Sequence, residues 1–546
     1  MPKSSAASGL RVGLAFPNSY YVAMSNLGFQ TVYAAFAACP DVSVERFLLP
    51  EKGGRELRSH ESGKPVSSFD LLAFSISIES DYLNLLSMLR MGGCLEESAA
   101  RRAEIADTAA FAPPLILVGG TAPTLNAEPI ADFLDMVFVG EADEAIPEIA
   151  TALQESRRSG LSRSDTLEQL SKIEGIYVPA LFKPHYAGDG KIAGFETAAA
   201  KPVRRYVKNL DAHPASTAIL TAETEFSSMF LTETGRGCEM GCRFCISGYA
   251  YRPVRKRGAD SIKASIDEGL KYSRQVGLVG AAVSSHRSIN ELIQHVQQAG
   301  GRASLSSLMS QKISKELAAC LCENESRSVA LAPETGSEKL RFAVGKRVRD
   351  EQIGEAIRLL AEAGIARYKL YFMLGLPSET LQDAEAIATL VENLHSVVRS
   401  QNPKLRPEFI LTLNAFVPKP WTPFQWEGMC APELIEERLA LVSAGVRKVR
   451  GVKLRAESVR ESIWQTLLSR GDRRLGRLLK YMLDEEIAPG RLARRMSQTV
   501  LSGVPPVDFY VARRFDFDEI LPWEVIDGRI EKSLLRREAE RAFSGD

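Results

Sequence analysis

An α/β chain in three parts is expected: an open, doubly wound parallel sheet, then a partial (β/α)6 barrel, then a mainly helical C-terminal region. Three observations predict this. Residues 1–150 alternate short apolar runs with helix-length stretches, and residues 229–427 repeat that rhythm over six units. Strands of a parallel sheet covered on both faces read as such continuous apolar runs, and strands alternating with helices imply parallel connections. The composition, 45% hydrophobic and 25% charged, supplies enough apolar surface for folded cores and excludes a disordered or disulfide-stapled chain.

In the first part, strands are expected at Arg11–Phe16, Val44–Leu49, Leu71–Ile78, Leu115–Val118 and Met136–Val139. Helices are expected at Leu27–Ala38 and Tyr82–Met91. Ligands of such sheets sit beyond the carboxyl ends of the strands. Those ends carry Pro17-Asn18-Ser19-Tyr20, Ser75-Ile76-Ser77, Gly119-Gly120-Thr121 and Gly140-Glu141. Residues 151–228 read as a connector with a small β element, one strand at Gly175–Pro179 and a turn at Gly188-Asp189-Gly190.

The second series expects strands at Met229–Thr232, Leu278–Ser284, Arg302–Leu305, Ser328–Ala332, Tyr368–Leu374 and Glu408–Phe416, with helices such as Ala259–Gln275 and Asp350–Ala363 between them. Barrels of this kind place their chemistry at the carboxyl ends of the strands. Trp421 and Trp426, at the expected exit of the barrel, read as core. Residues 428–546 read as helical. Within them, residues 441–480 hold 11 Lys/Arg against 3 Asp/Glu. Ile463, Leu467, Leu468, Leu475, Leu478 and Leu479 recur at helical spacing, so Arg470, Arg473, Arg474 and Arg477 are expected on the opposite face. That face is either a solvated basic surface or a dock for an anionic substrate, since arginine forks suit phosphate.

Lys+Arg and Asp+Glu both number 68, which argues against a whole-chain electrostatic grip on nucleic acid or membrane, though a local patch stays open. No apolar run reaches the ~18 residues of a spanning helix. The first nine residues lead to Leu10 without a signal-peptide core, so a cytoplasmic, reducing location is expected.

The strongest motif is Gly235-Arg236-Gly237-Cys238-Glu239-Met240-Gly241-Cys242-Arg243-Phe244-Cys245, directly after an expected strand. Its C-x3-C-x2-C spacing puts three thiolates on a short glycine-bearing loop that can wrap one metal centre. A structural zinc site wants four protein ligands, and no fourth Cys or His follows at usable spacing, His286 being the nearest later histidine. A [4Fe–4S] cube held by three cysteines leaves one iron open to a chelating substrate or cofactor. A zinc loop or a packed cysteine cluster is the alternative.

This segment resembles the signature of the radical S-adenosylmethionine (SAM) superfamily, with Phe244 as the aromatic before the last cysteine. The resemblance implies that Cys238, Cys242 and Cys245 ligate a [4Fe–4S] cluster. It also implies that SAM chelates the fourth iron and is cleaved to a 5′-deoxyadenosyl radical after reduction by an external flavodoxin- or ferredoxin-type donor. It places Glu334, in Ala332-Pro333-Glu334-Thr335-Gly336-Ser337, and Ser337 near SAM, and Gly375, in Leu374-Gly375-Leu376-Pro377, near adenine. The superfamily's Gly-Gly-Glu-type segment is replaced by Ser284-Ser285-His286.

The first part resembles the cobalamin-binding, Rossmann-like domain that precedes many radical SAM methylases. The resemblance rests on Ser25-Asn26-Leu27-Gly28, Ser75-Ile76-Ser77 and Gly119-Gly120 in order on the strand ends, without the cobalt-ligating histidine. It implies that Ser75, Ser77, Gly119 and Gly120 accommodate the nucleotide tail. Tyr20, Ser25, Asn26, Leu27 and Gly28 would line the cobalt face, and Glu141 would be a polar contact. End to end, the chain resembles a long bacterial radical SAM group with this domain, a likeness that carries no substrate. Ser469-Arg470-Gly471-Asp472-Arg473-Arg474 and Leu521-Pro522-Trp523 belong to it.

The implied function is cobalamin-dependent methylation of an unactivated carbon or a phosphorus centre of a small-molecule, lipid or other anionic substrate. One alternative is a cobalamin-independent radical SAM enzyme catalysing cyclisation, coupling or rearrangement. The other is a non-catalytic Fe–S or zinc scaffold or RNA-binding protein.

Overall fold

The computed structural model describes the chain except residues 1–8, 51–53, 55, 96, 99–112, 307, 325–327, 493, 495, 497, 499 and 545–546. The expectation for the first eight residues therefore lies outside the described residues. No helix among the described residues is long and apolar enough to cross a membrane.

The first sheet holds β1 (Leu10–Phe16), β2 (Val42–Leu48), β3 (Leu71–Ser75), β4 (Leu115–Gly119), β5 (Met136–Phe138) and β6 (Ile176–Tyr177). Its order is β2-β1-β3-β4-β5-β6, parallel except for β6, which runs antiparallel to β5. The order of the first five strands is that of a doubly wound flavodoxin-like sheet, whose crevice opens where the order reverses between β1 and β3. The strand expected in the connector is β6, so the first domain runs on past residue 150. β7 (Phe182–Tyr186) and β8 (Ile192–Thr197) form a hairpin around the expected Gly188–Gly190 turn.

The second series forms two four-stranded sheets. The first has order β10-β9-β11-β12, with β9 (Phe230–Arg236), β10 (Arg255–Lys256), β11 (Gln275–Gly280) and β12 (Arg302–Leu305). The other has order β13-β14-β15-β16, with β13 (Val329–Glu334), β14 (Arg367–Leu374), β15 (Glu408–Ala415) and β16 (Val452–Ala456), all parallel. A parallel bridge from Leu308 to Leu331 joins the two, which completes the expected partial barrel.

Three expectations are corrected. The strand expected over Leu278–Ser284 begins three residues earlier and stops at Gly280; Val283–Ser285 is a 3-10 turn instead. A Cβ at Gly280 would meet Thr234 Oγ1 at 2.9 Å, so the chain turns where the glycine packs on β9. The barrel sheet does not end at residue 427, because β16 adds a strand from the region expected to be helical.

The basic C-terminal face is not a surface. Arg470 is fully buried and donates to the carbonyls of Tyr510, Val511 and Arg513, with its guanidinium 3.7 Å from the Phe515 ring centre. Arg473 pairs with buried Glu128 at 3.0 Å and donates to Tyr177 Oη and Phe182 O, both at 2.6 Å. Arg474 pairs with Asp472 at 2.6 Å and lies over the Tyr186 ring. Of the four, Arg477 alone is exposed. Helical spacing shows which residues share a face, and here Arg470, Arg473 and Arg474 on the second face are covered as well, by carbonyl and carboxylate acceptors.

The C-terminal region is thereby bolted to the first domain. Arg473→Ala leaves Glu128 charged and buried without its partner, a loss of about 3–5 kcal/mol. Denaturant unfolding should show that loss; a midpoint unchanged from the parent would contradict the bolt.

Candidate functional site

The cysteine loop leaves β9 through Gly235 and Gly237. A Cβ at Gly235 would stand 2.6 Å from Arg255 O, and Gly237, at φ +82°, would put one 2.7 Å from Tyr251 O. Only glycine lets the loop pass this close to the β10 segment. The loop is then pinned by backbone bonds: Cys238 N–H to Ser247 O (2.9 Å), Cys245 N–H to Cys242 O (3.0 Å) and Arg243 N–H to Val344 O (2.8 Å). The Tyr249 hydroxyl donates to Gly241 O at 2.9 Å. Arg243, buried, donates to Ala343 O at 2.6 Å and pairs with Glu538 of the C-terminal helix at 3.3 Å.

Cys242 is buried, and Cys238 and Cys245 are half-buried. Burial pushes the Cys242 thiol up to about 12, opposed by the charge of Lys346 and reinforced by the neighbouring Cys245, Glu334 and Cys238. Burial raises Cys245 as well. Such thiols lose their protons only to a strong local cation, which a metal centre provides. Among the described residues no three His, Cys, Asp or Glu groups converge as ligands of a single ion. Three thiols on one loop match the protein ligands of a cluster, whose three cysteines bind three different irons. The donor set thus fits a [4Fe–4S] group.

Phe244 packs with Leu340, Val344, Leu376, Phe416 and Phe424, an apolar shell beside the loop. Glu334 ends β13 at φ +73°, a costly conformation for a residue with a side chain, and pairs with Lys346 at 2.8 Å. The structure therefore brings Glu334 and Lys346 to the cysteines. Ser337 and Gly375, expected near SAM, are held by local contacts of their own. Ser337 caps the helix Glu338–Ala343 and donates to Asp383. Gly375 N–H donates to buried Glu379, and its φ of +80° and its contact with Cys430 make it a turn residue. His286 is neither a ligand nor exposed: Nδ1 accepts from Ser288 N–H, leaving Nε2–H to donate to Arg257 O at 2.9 Å.

Between the carboxyl ends of the first sheet and the cysteine loop lies a cavity of about 450 Å³. On the sheet side Leu27, Gly28, Ser75, Gly119, Gly120 and Glu141 line it, and on the barrel side Gly235, Arg236, Gly237, Ser247 and Tyr251 do. A second cavity of about 400 Å³ adjoins it, lined by Ser25, Asn26, Ser77, Phe226, Leu231 and Val279 among others. Gly120 is required at φ +109°, where a Cβ would meet Ile76 O at 2.4 Å. Asn26 caps the helix Leu27–Ala38 and donates to Ser77 Oγ at 2.8 Å.

Tyr20 is the exception among the expected lining residues. It packs on His60 and under Arg46, and lines neither cavity. Burial works against ionising Glu141, but Arg255 and Arg236 outweigh it and hold the carboxyl below the usual range. Arg255 reaches it at 2.6 Å and Arg236 at 3.1 Å.

Sequence reasoning missed Lys346 and the charge network of Arg236 and Arg255. Arg236 stands inside the motif, so its position was visible and its partners were not. Nothing in the sequence separates Lys346 from a surface lysine.

Residues 232–391 match the family model of the radical SAM superfamily, and residues 28–179 match that of the N-terminal domain of radical SAM proteins. Between them the two matches take in more than half of the chain, and it belongs to the radical SAM superfamily. An uncharacterized protein of Methanocaldococcus jannaschii is 26% identical over 475 residues, 86% of this chain and 90% of that one. A tRNA-2-methylthio-N(6)-dimethylallyladenosine synthase of Geotalea uraniireducens is 25% identical over 201 residues, 34% of this chain and 46% of its own. In fold, the chain is similar to the radical SAM methyltransferase TsrM of Kitasatospora setae, solved with cobalamin and a [4Fe–4S] cluster. The TM-score is 0.51 at 12% identity, over 89% of this chain and all of that one.

Protein purified without oxygen is expected to carry about four iron and four sulfide per chain. Cys238→Ser, Cys242→Ser and Cys245→Ser should each lose most of that iron. Stoichiometric zinc in place of iron would refute the assignment.

Proposed function

We propose that this radical SAM enzyme is a cobalamin-dependent methyltransferase acting on a carbon or phosphorus centre that is not nucleophilic. The observation that carries the reading is the shared crevice. One cavity is walled by the strand ends that resemble a cobalamin site and by Gly235, Arg236, Gly237 and Ser247, which flank the cysteines. A corrinoid seated there would lie against the iron–sulfur site.

Each half of the site has a defined task. Cys238, Cys242 and Cys245 would hold the cluster, Phe244 walls it with apolar surface, and the Glu334–Lys346 pair sets the charge beside it. With SAM on its open iron, such a cluster supplies one-electron cleavage of SAM and hydrogen abstraction from the substrate. Gly28 and Gly119 present no side chain to the crevice, and Ser75 offers a small polar wall, so a large flat group fits. Cobalamin supplies a methyl group to a carbon that SAM alone cannot alkylate. The apolar shell around Phe244 keeps water away from radical chemistry. TsrM, a radical SAM methyltransferase solved with both groups bound, supports this reading through its similar fold. Reduction would come from an external flavodoxin- or ferredoxin-type donor.

Loading with hydroxocobalamin should give a retained corrinoid spectrum at about one cobalt per chain. Val32→Trp, which fills the crevice from the helix Leu27–Ala38, should lose it while keeping iron. Under reduction with SAM, 5′-deoxyadenosine should form well above the level of Cys242→Ala. Absence of a corrinoid spectrum in the loaded parent would leave a radical SAM enzyme without cobalamin-dependent methyl transfer.

A further inference from the structure

The inner face of the barrel sheet is not packed. In a closed (β/α)8 barrel, branched apolar side chains fill the interior. Here the alternation on β14 is reversed: Tyr368, Leu370 and Phe372 are buried against the helices, while Arg367, Lys369 and Tyr371 are exposed on the other face. The buried side is fixed by Phe409, which stacks on Tyr368 and touches His395 of the helix Leu381–Gln401. Register carries the inner face across the sheet. Lys369 pairs with Ile410 and then Lys453, and Tyr371 with Thr412 and then Arg455. On β13 the partner of Lys369 is Ala330, a small residue that leaves room.

The charges on this face are uneven. Glu408 takes both Arg367 and Lys453, at 2.7 Å each, and neutralises the lower row. Glu457, one residue beyond β16, is the other acid. Lys369 and Arg455 have no ion-pair partner among the described residues. Tyr371, 40% exposed and level with Arg455, is a large aromatic left uncovered. At the amino ends of β11–β13 lies a cavity of about 470 Å³, lined by Gln275, Arg302, Ser304 and Ala330 among others. Toward the carboxyl ends, Asn414, paired with Met373, has a buried Oδ1 with no hydrogen-bond partner.

We propose that this inner face is the substrate site, and that Lys369 and Arg455 grip an anionic group, a phosphate or a carboxylate, of a small-molecule substrate. β14 and β16 are two strand spacings apart and Arg455 stands two residues above the level of Lys369, a separation of ~12 Å that two long cationic side chains can close on one anion. The anion is held low on the sheet, so the rest of the substrate extends toward the strand ends and the cysteine loop. Tyr371 offers it an apolar wall and Asn414 an acceptor. The inference rests on the radical SAM reading, and it names the substrate class of that same site.

Isothermal titration of the iron-loaded protein with inorganic pyrophosphate and, separately, succinate tests it. The parent should bind at least one, and which one names the group. Lys369→Gln with Arg455→Gln should weaken that binding at least about tenfold, and Lys369→Arg should largely keep it. Lys448→Gln together with Lys404→Gln, an equal charge loss away from this face, should leave the affinity unchanged. Thermal melting and iron content show that each variant is folded. Binding of neither probe, or equal loss in both double variants, overturns the proposal. Its failure is separate from failure of the radical SAM reading, which is decided by 5′-deoxyadenosine formation in the parent without any anion.

Discussion

The guanidinium of Arg236 ties the two chemical halves of the molecule together. It stands two residues before the first cysteine and binds Asp143 at 2.8 Å and Glu141 at 3.1 Å from the first sheet, and Glu233 at 2.9 Å from its own strand. Arg255 binds Glu141 and Arg257 binds Glu233, both at 2.6 Å. Three carboxylates thus meet three guanidiniums in a largely buried knot. Such a knot gains little net stability, because every charge in it was taken out of water. Its effect is positional: any relative displacement of crevice and cysteine loop would separate buried charges. A site that needs two large groups against each other requires that kind of fixed distance.

Much of this was legible in the sequence. Five apolar runs became the five parallel strands of the first sheet because strands buried on both faces tolerate little else. The cysteine loop was legible because its chemistry is local: three thiols and three glycines within a dozen residues need no distant partner to be recognised. What stayed hidden was non-local. Arg470, Arg473 and Arg474 look like a basic face until Tyr510, Glu128 and Gly190 are brought to them, and those acceptors lie between 40 and 345 residues away. β16 was hidden because Val452–Ala456 carries two charges in five residues, a pattern that a sheet edge accepts and a buried strand does not.

Ser337 and Gly375 show how a residue expected at a ligand also carries a structural task. Serine before an apolar helix start is a cap as readily as a ligand contact, and Ser337 accepts from Leu340 N–H as a cap does. Glycine at a strand end satisfies a left-handed turn whether or not a nucleotide lies nearby. Glu334 differs because a residue with a side chain occupies that conformation. The strain is compensated by a carboxylate aimed at Lys346 beside the three thiols.

The C-terminal region belongs to the site. Its last helix, Lys532–Ser544, sends Glu538 to Arg243 inside the cysteine loop, and Ala542 packs into the apolar shell that holds Phe244. Arg243 would otherwise be a buried cation whose other partners are carbonyls alone. A loop carrying an oxidisable centre at the mouth of an open half-barrel must be covered from outside, since water and oxygen would reach it there. The final helix provides that cover, and its ion pair to the loop links closure of the shell to the fold of the C-terminal segment.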